Sequence, residues 1–202
     1  MKISTTGKTF AFASLLFAST FFAACNGSSN TDKTASSDST AVTSSDSMQG
    51  KMSMKHAQAT LSGTYADTTV DGTASFDEMD GKVKMVLNIT IPAKANKSVA
   101  VHLHEHGDCG DMGNGAHGHW NPTNKQHGKW GSASFHSGDI GNIQLDAAGK
   151  GTLTLETNLW SIGGDSTTNI LGRAVIVHGG VDDYVSQPSG NAGSRIGCGV
   201  IQ

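Results

Sequence analysis

The sequence predicts an all-β domain, an eight-stranded antiparallel sandwich or flattened barrel interrupted by long loops. Three observations carry this prediction. Short segments alternate apolar and polar residues with period two; 26 glycines among 202 residues supply turns; and only 15% of residues are charged, few for coiled coils or long solvated helices. No segment carries a helical period.

The clearest strand runs from Lys82 to Ile91, with Val83, Met85, Leu87, Ile89 and Ile91 on one face and Lys82, Lys84, Asn88 and Thr90 mostly on the other. Ala57–Thr64 and Thr73–Asp77 precede it, with Asp71-Gly72 and Asp80-Gly81 as turn signals. Val99–Glu105, Asn142–Leu145, Gly151–Thr157, Ala174–His178 and Cys198–Ile201 follow, which makes eight strands. Between them lie irregular stretches at 106–140, 158–172 and 179–196. Structureless loops beyond about 15 residues are uncommon in compact domains, so the first of these needs something to hold it.

Charge excludes one class of partner. Fourteen basic and 17 acidic residues give −3 with no basic block, so no nucleic acid is expected. The body also lacks an apolar run of about 18 residues, the length a membrane-spanning helix needs.

At the N-terminus, Lys2 and Lys8 precede an uncharged stretch from Thr9 to Ala24, the charged and apolar regions of a secretory signal. It ends Phe22-Ala23-Ala24-Cys25, which resembles the lipobox of bacterial lipoproteins. That resemblance implies removal of residues 1–24, lipidation of Cys25, and a membrane-anchored protein of the cell envelope facing the periplasm or exterior. Losing Lys2 and Lys8 would take the charge from −3 to −5. Residues 25–55, rich in Ser, Thr and Asp, read as a disordered tether, and 56–202 as the folded domain. Met48, Met52, Met54 and His56 could hold soft Cu(I), although filler ahead of the domain is the plainer reading. Assigning Cys25 to lipid leaves Cys109 and Cys198 as one candidate disulfide pair in an exported compartment.

Eight of the nine histidines lie between 102 and 178. In Val99–Glu105 a period of two places Val99, Val101 and Leu103 toward the core. His102 and His104 then share the opposite face, about 6–7 Å apart at Cα, close enough for both to reach one metal. His119, His127, His136 and Asp139 in the long loop supply donors that could enclose zinc, which would also order a glycine-rich loop. His106 and His117 are the unusual extras, expected at the surface or as additional metal contacts.

Together, His102-Leu-His104-Glu105, Gly118-His119-Trp120-Asn121-Pro122, His127-Gly128, His136-Ser-Gly-Asp139-Ile-Gly-Asn142, Val177-His178 and Gly190-Asn-Ala-Gly-Ser-Arg195-Ile-Gly-Cys198-Gly-Val-Ile201 resemble a secreted, bacterial-type copper/zinc superoxide dismutase over roughly residues 57–202. The resemblance implies a Greek-key β-sandwich. It implies copper on His102, His104, His119 and His178, and zinc on His119, His127, His136 and Asp139, with His119 shared as a bridging imidazolate. A carboxylate suits zinc, whereas imidazole suits copper.

By the same resemblance, Asp182 hydrogen-bonds one histidine of each set, and Cys109 and Cys198 form a disulfide. Closing that loop would contribute about 4–5 kcal/mol in the chain-entropy model. Superoxide would be the substrate, copper the redox metal, Arg195 the anion guide, and His119 the proton carrier as well as a ligand. The family is known for electrostatic steering, yet the lysine and glutamates that flank the channel in animal members are missing from 179–194. Steering would fall to Arg195 alone, or to Lys125 or Lys129. A homodimer is compatible with the resemblance, which does not choose between monomer and dimer. Two other readings are weaker. A carbonic-anhydrase-type zinc site leaves His127, His136, Asp139 and Arg195 without purpose, and a metal-storage module gives Arg195 nothing to orient.

Overall fold

A computed structural model describes residues 54–202. The expected signal at 1–24, Cys25, and the tether with Met48 and Met52 lie outside the described residues. Among the described residues there are eight strands: β1 (Lys55–Gly63), β2 (Asp71–Met79), β3 (Lys82–Thr90), β4 (Ser98–His104), β5 (Gly141–Gln144), β6 (Lys150–Thr157), β7 (Ala174–His178) and β8 (Arg195–Val200). They form one antiparallel sheet in the order β5-β4-β7-β8-β1-β2-β3-β6. The edge strands β5 and β6 follow one another through a tight turn, Asp146 N–H donating to the Lys150 carbonyl at 2.8 Å, so the sheet is a nearly closed barrel. The β3–β4 and β6–β7 connections cross between its halves, which is the Greek-key pattern.

The period-two pattern does the sorting. Ala57, Ala59 and Leu61 of β1, Ala74 and Phe76 of β2, and Val83, Met85, Leu87 and Ile89 of β3 all point inward. Trp160 closes this core, edge-on to Phe76 with ring centroids 6.0 Å apart. At the seam, β8 passes so close to β1 that a Cβ on Gly199 would strike the Thr60 carbonyl.

Two local expectations need correction. Asp71-Gly72 is not a turn but the start of β2, paired with Thr90 and Ile89 of β3. A Cβ on Gly72 would collide with the Asn88 backbone, so this glycine serves close strand approach instead of a bend. Asp80-Gly81 does turn, with φ of 53° and 72°, the two-residue hairpin that needs positive φ at both positions. The last strand also begins at Arg195, not Cys198, because Arg195 pairs with His178 across a β-bulge. A bulge re-aims the side chains around it, and it puts Arg195 at the same end of the sheet as His178.

Candidate metal centre

In β4 the inward residues Val99, Val101 and Leu103 fill the barrel, as alternation requires, but the other face is buried too. The segments 106–140 and 179–194 cover it, so β4 carries apolar residues inward and His102 and His104 outward beneath loops. β7 runs antiparallel beside it and delivers His178, and a single bridge pairs His104 with His119. The ligating atoms of His102, His104, His119 and His178 all lie within 4.8 Å of one another.

A second buried group shares His119 with the first, and adds His127, His136 and Asp139. Asp139 Oδ1 lies 2.8 Å from His119 Nδ1 and 3.3 Å from His136 Nδ1, while Oδ2 lies 3.0 Å from His127 Nδ1. Backbone N–H groups of His136 (2.8 Å) and Gly128 (3.1 Å) donate to Oδ2 and fix the carboxylate. The loop bearing these residues is stitched to β4: Trp120 N–H donates to the Leu103 carbonyl, Leu103 N–H to Gly138, and Gly138 N–H back to Trp120. A Cβ on Gly138 would run into the Leu103 carbonyl, so that stitch requires glycine. Trp160 Nε1 donates to the Ser137 carbonyl from the core side at 2.8 Å.

Each imidazole except His119, whose Nδ1 meets Asp139 of the second group, has one nitrogen tied outward and one left without a hydrogen bond. His102 Nε2 meets Asp182 at 2.9 Å, His104 Nδ1 meets the His117 carbonyl at 2.8 Å, and His127 Nε2 meets Asp182 at 3.0 Å. His136 Nε2 meets the Lys125 carbonyl at 3.0 Å, and His178 Nδ1 the Gly193 carbonyl at 3.3 Å. The opposite atoms are buried without a hydrogen-bond partner: His102 Nδ1, His104 Nε2, His119 Nε2, His127 Nδ1, His136 Nδ1 and His178 Nε2. The approaches of His127 and His136 Nδ1 to Asp139 are close but poorly angled for hydrogen bonds. A nitrogen facing a carbonyl must donate, so its partner atom carries the lone pair inward. Buried polar atoms left unsatisfied are costly, and converging lone pairs are what a cation satisfies.

Burial also keeps three of the imidazoles neutral. Removal from water pushes His104 well below the ordinary histidine value, His119 down to about 4, and His178 down to about 3. For His127 burial is outweighed by Asp182 and Asp139, and its pKa is raised. Asp139 resists burial through hydrogen bonds from His119 and His136 and stays ionised far into acid.

Asp182 links the two groups as expected, with Oδ2 on His102 and Oδ1 on His127. Sequence reasoning missed what holds it. Asn142, at the start of β5, clasps its backbone with Oδ1 accepting from Asp182 N–H (2.8 Å) and Nδ2 donating to its carbonyl (2.9 Å). Gln187 clasps the His127 backbone in the same way, at 2.9 and 3.0 Å. Only the quoted Asp139-Ile-Gly-Asn142 run hinted at Asn142; nothing local marks Gln187. Gly190 has φ +67°, and a Cβ there would land on Asp182 Oδ1 and crowd His127 Nε2. Gly190→Ala is therefore expected to displace the carboxylate and weaken metal retention by about 10–100-fold, the usual cost of losing an outer-sphere partner. Competition with a chelator, followed by metal analysis, measures this.

Arg195 is held by two carbonyls, Nη1 on Gly113 (2.7 Å) and Nη2 on His117 (2.6 Å). It lines a cleft of about 630 Å³ together with His104, His119 and His178, so its charge faces the four-histidine group. Lys125 lines the same cleft, whereas Lys129 lies over the Tyr184 ring, 5.9 Å from its centroid. His106 and His117 are exposed, as expected. The disulfide joins Cys109 to Cys198 across 89 residues and ties the first long loop to β8.

The family model for copper/zinc superoxide dismutase matches residues 70–201. The chain belongs to the copper/zinc superoxide dismutase family. It is similar to "Superoxide dismutase [Cu-Zn]" of Paramecium bursaria Chlorella virus 1, at 39% identity over 62% of this chain and 69% of that protein. It is similar to the Aquifex aeolicus "Superoxide dismutase [Cu-Zn] 1" at 37%, over 53% and 66%, and to the extracellular enzyme of Caenorhabditis elegans at 36%, over 62% and 58%. Among solved structures, the clock protein EA4 superposes with a TM-score of 0.62 at 34% identity, covering 72% of this chain and 92% of that one. The activity is dismutation of superoxide, 2 O₂•⁻ + 2 H⁺ → O₂ + H₂O₂, and copper and zinc are the metals of the family. The donor chemistry fits both: an all-imidazole group for copper, and three imidazoles with one carboxylate for zinc.

Proposed function

We propose that His102, His104, His119 and His178 hold copper, and that His119, His127, His136 and Asp139 hold zinc. The observation that carries this assignment is His119, whose Nε2 is an unpartnered atom of the first group while its Nδ1 lies 2.8 Å from Asp139 of the second. Copper, when bound, supplies a one-electron couple that oxidises one superoxide and reduces the next, and zinc supplies a fixed positive charge.

The chain's own residues do the remainder. Arg195, locked by two carbonyls, attracts and orients the anion at the cleft floor; its guanidinium keeps its charge at any working pH. Lys125 adds positive charge to the wall. His119 Nε2 takes up a proton and returns it to the forming peroxide, while Asp139 holds the ring through Nδ1. Asp182 keeps His102 and His127 in the tautomers that present Nδ1 inward.

We further propose that the protein is a lipoprotein of the bacterial cell envelope, divided into a signal at 1–24, lipidated Cys25 with a tether to residue 55, and the enzyme domain at 56–202. The Phe22-Ala-Ala-Cys25 sequence supports the anchor, and an extracytoplasmic site suits the disulfide. Two extracellular relatives are compatible with that location.

Full chain loaded with both metals should contain one copper and one zinc and show cyanide-sensitive dismutation. His119→Ala should lose zinc and the activity together. Full metal content without turnover would refute the catalytic assignment and leave a storage protein. Cys25→Ala should move the protein from the membrane to the soluble fraction; unchanged membrane association would refute the anchor. Sedimentation of the same samples tests homodimer formation.

A further inference from the structure

A third cluster of metal-ligating side chains stands apart from the two buried ones. Glu105, His106 and His117 are all exposed, and their ligand atoms lie within 4.8 Å of one another. Backbone pairing brings them together, with Glu105 N–H donating to the Gly118 carbonyl (3.1 Å) and His106 N–H to the Ala116 carbonyl (3.2 Å) beside the His104–His119 bridge. The two imidazoles stand edge to face with centroids 4.5 Å apart. Arg173, the neighbouring cation, donates to the carbonyls of Asn169, Ser166 and Glu105 and stacks on Trp120, and it forms no ion pair with the Glu105 carboxylate.

A second observation concerns the backbone of His117. It has φ +60° and ψ −143°, a conformation that favours glycine and that a β-carbon-bearing residue holds only against strain. Gly118, which would be free of such strain, is the next residue, yet an imidazole occupies the strained position and faces its partner on His106. The His117 carbonyl also anchors both His104 Nδ1 and Arg195 Nη2.

We propose that Glu105, His106 and His117 form a third, solvent-facing site for a divalent transition-metal ion, copper(II) in preference to zinc(II), beside the mouth of the active-site cleft. Two imidazoles and one carboxylate suit either ion, and the divalent affinity order places copper(II) above zinc(II). Neighbouring donors on a square-planar copper(II) stand about 2.8 Å apart at ordinary metal–nitrogen distances, so the three exposed side chains, whose ligand atoms lie within 4.8 Å of one another, must draw together by rotation. The three protein ligands leave positions open to water, so the ion would exchange readily. The buried sets use none of its side chains, and only the His117 backbone carbonyl is shared with them.

The test begins with full chain already carrying its copper and zinc, dialysed against copper(II) and, separately, zinc(II). A further equivalent of copper(II) should bind, with an electron paramagnetic resonance signal distinct from that of the buried copper. His106→Ala should weaken that equivalent by about 100-fold or more, since loss of an outer-sphere partner alone costs about 10–100-fold, with dismutation unchanged. His117→Gly suits the backbone and should abolish the extra equivalent without lowering the melting temperature. Glu105→Gln should weaken it while leaving both imidazoles. Absence of the extra equivalent in the parent would overturn the proposal, as would its persistence in all three variants, which would place it elsewhere, for instance on the Met48–His56 segment.

Discussion

Stripping both metals from the protein is expected to lower its melting temperature by about 10–20 °C, and acid should deepen the loss. Six buried nitrogens without hydrogen bonds converge within the two groups. Structural zinc binding is worth about 10 kcal/mol or more. If about half of that stabilises the folded state, a domain of this size shifts by about 2–4 °C for each kcal/mol.

The pH dependence follows from the direction of the shifts. His104, His119 and His178 have folded pKa values below those of the unfolded chain, mainly through burial, with His119 at about 4 and His178 at about 3. As pH falls below about 6.5, the unfolded chain takes up protons that the folded site refuses, so stability declines progressively toward about pH 3. Asp139 and Asp182, also depressed, act in the same sense, their contribution being present above the ordinary carboxylate range and lost further into acid. His127 alone opposes this, contributing below about 6.5 and losing its contribution as pH rises through its raised value. Calorimetry of the metal-free and metal-loaded forms between pH 4 and 7 measures both effects. Equal melting temperatures for the two forms would mean that the convergent nitrogens do not hold metal.

Arg195→Ala is expected to lower kcat/KM for superoxide by about 10–100-fold, the scale on which a local positive field raises the encounter rate with an anion, while the metal content stays intact. With the chain at −3 overall, attraction must be local. Arg195→Lys should recover only part of the rate, because an ammonium restores charge but not the planar fork that spans the Gly113 and His117 carbonyls. An ionic-strength series separates the contributions: the alanine variant should lose most of its salt dependence, and any remainder belongs to Lys125. An unchanged rate in Arg195→Ala would remove Arg195 from the reaction. A parallel loss of copper would show instead that its carbonyl contacts position His104.

The residues of both metal groups were legible because their chemistry is written in residue type and order. His102-x-His104 needs only strand alternation to share a face, and His119, His127, His136 and Asp139 are donors in one loop that the family resemblance assigned to zinc. The burial of both faces of β4 was not legible, because it comes from loops that return from residues 106–140 and 179–194. The start of β8 at Arg195 was missed for a similar reason, since the bulge opposite His178 is a property of the strand pair.

The family resemblance implied the disulfide pair and the donor set of each site, and the sequence by itself determined the strand periods and the Asp80-Gly81 hairpin. Local sterics and residue chemistry act over a few positions and need no fold to be read. Only the tertiary structure decided which nitrogen of each histidine faces inward, that Asn142 and Gln187 clasp Asp182 and His127, that Gly190 must lack a Cβ, and that Glu105, His106 and His117 meet at the surface. Those depend on atoms from distant segments reaching hydrogen-bond or contact distance, which is fixed when the loops pack onto the barrel.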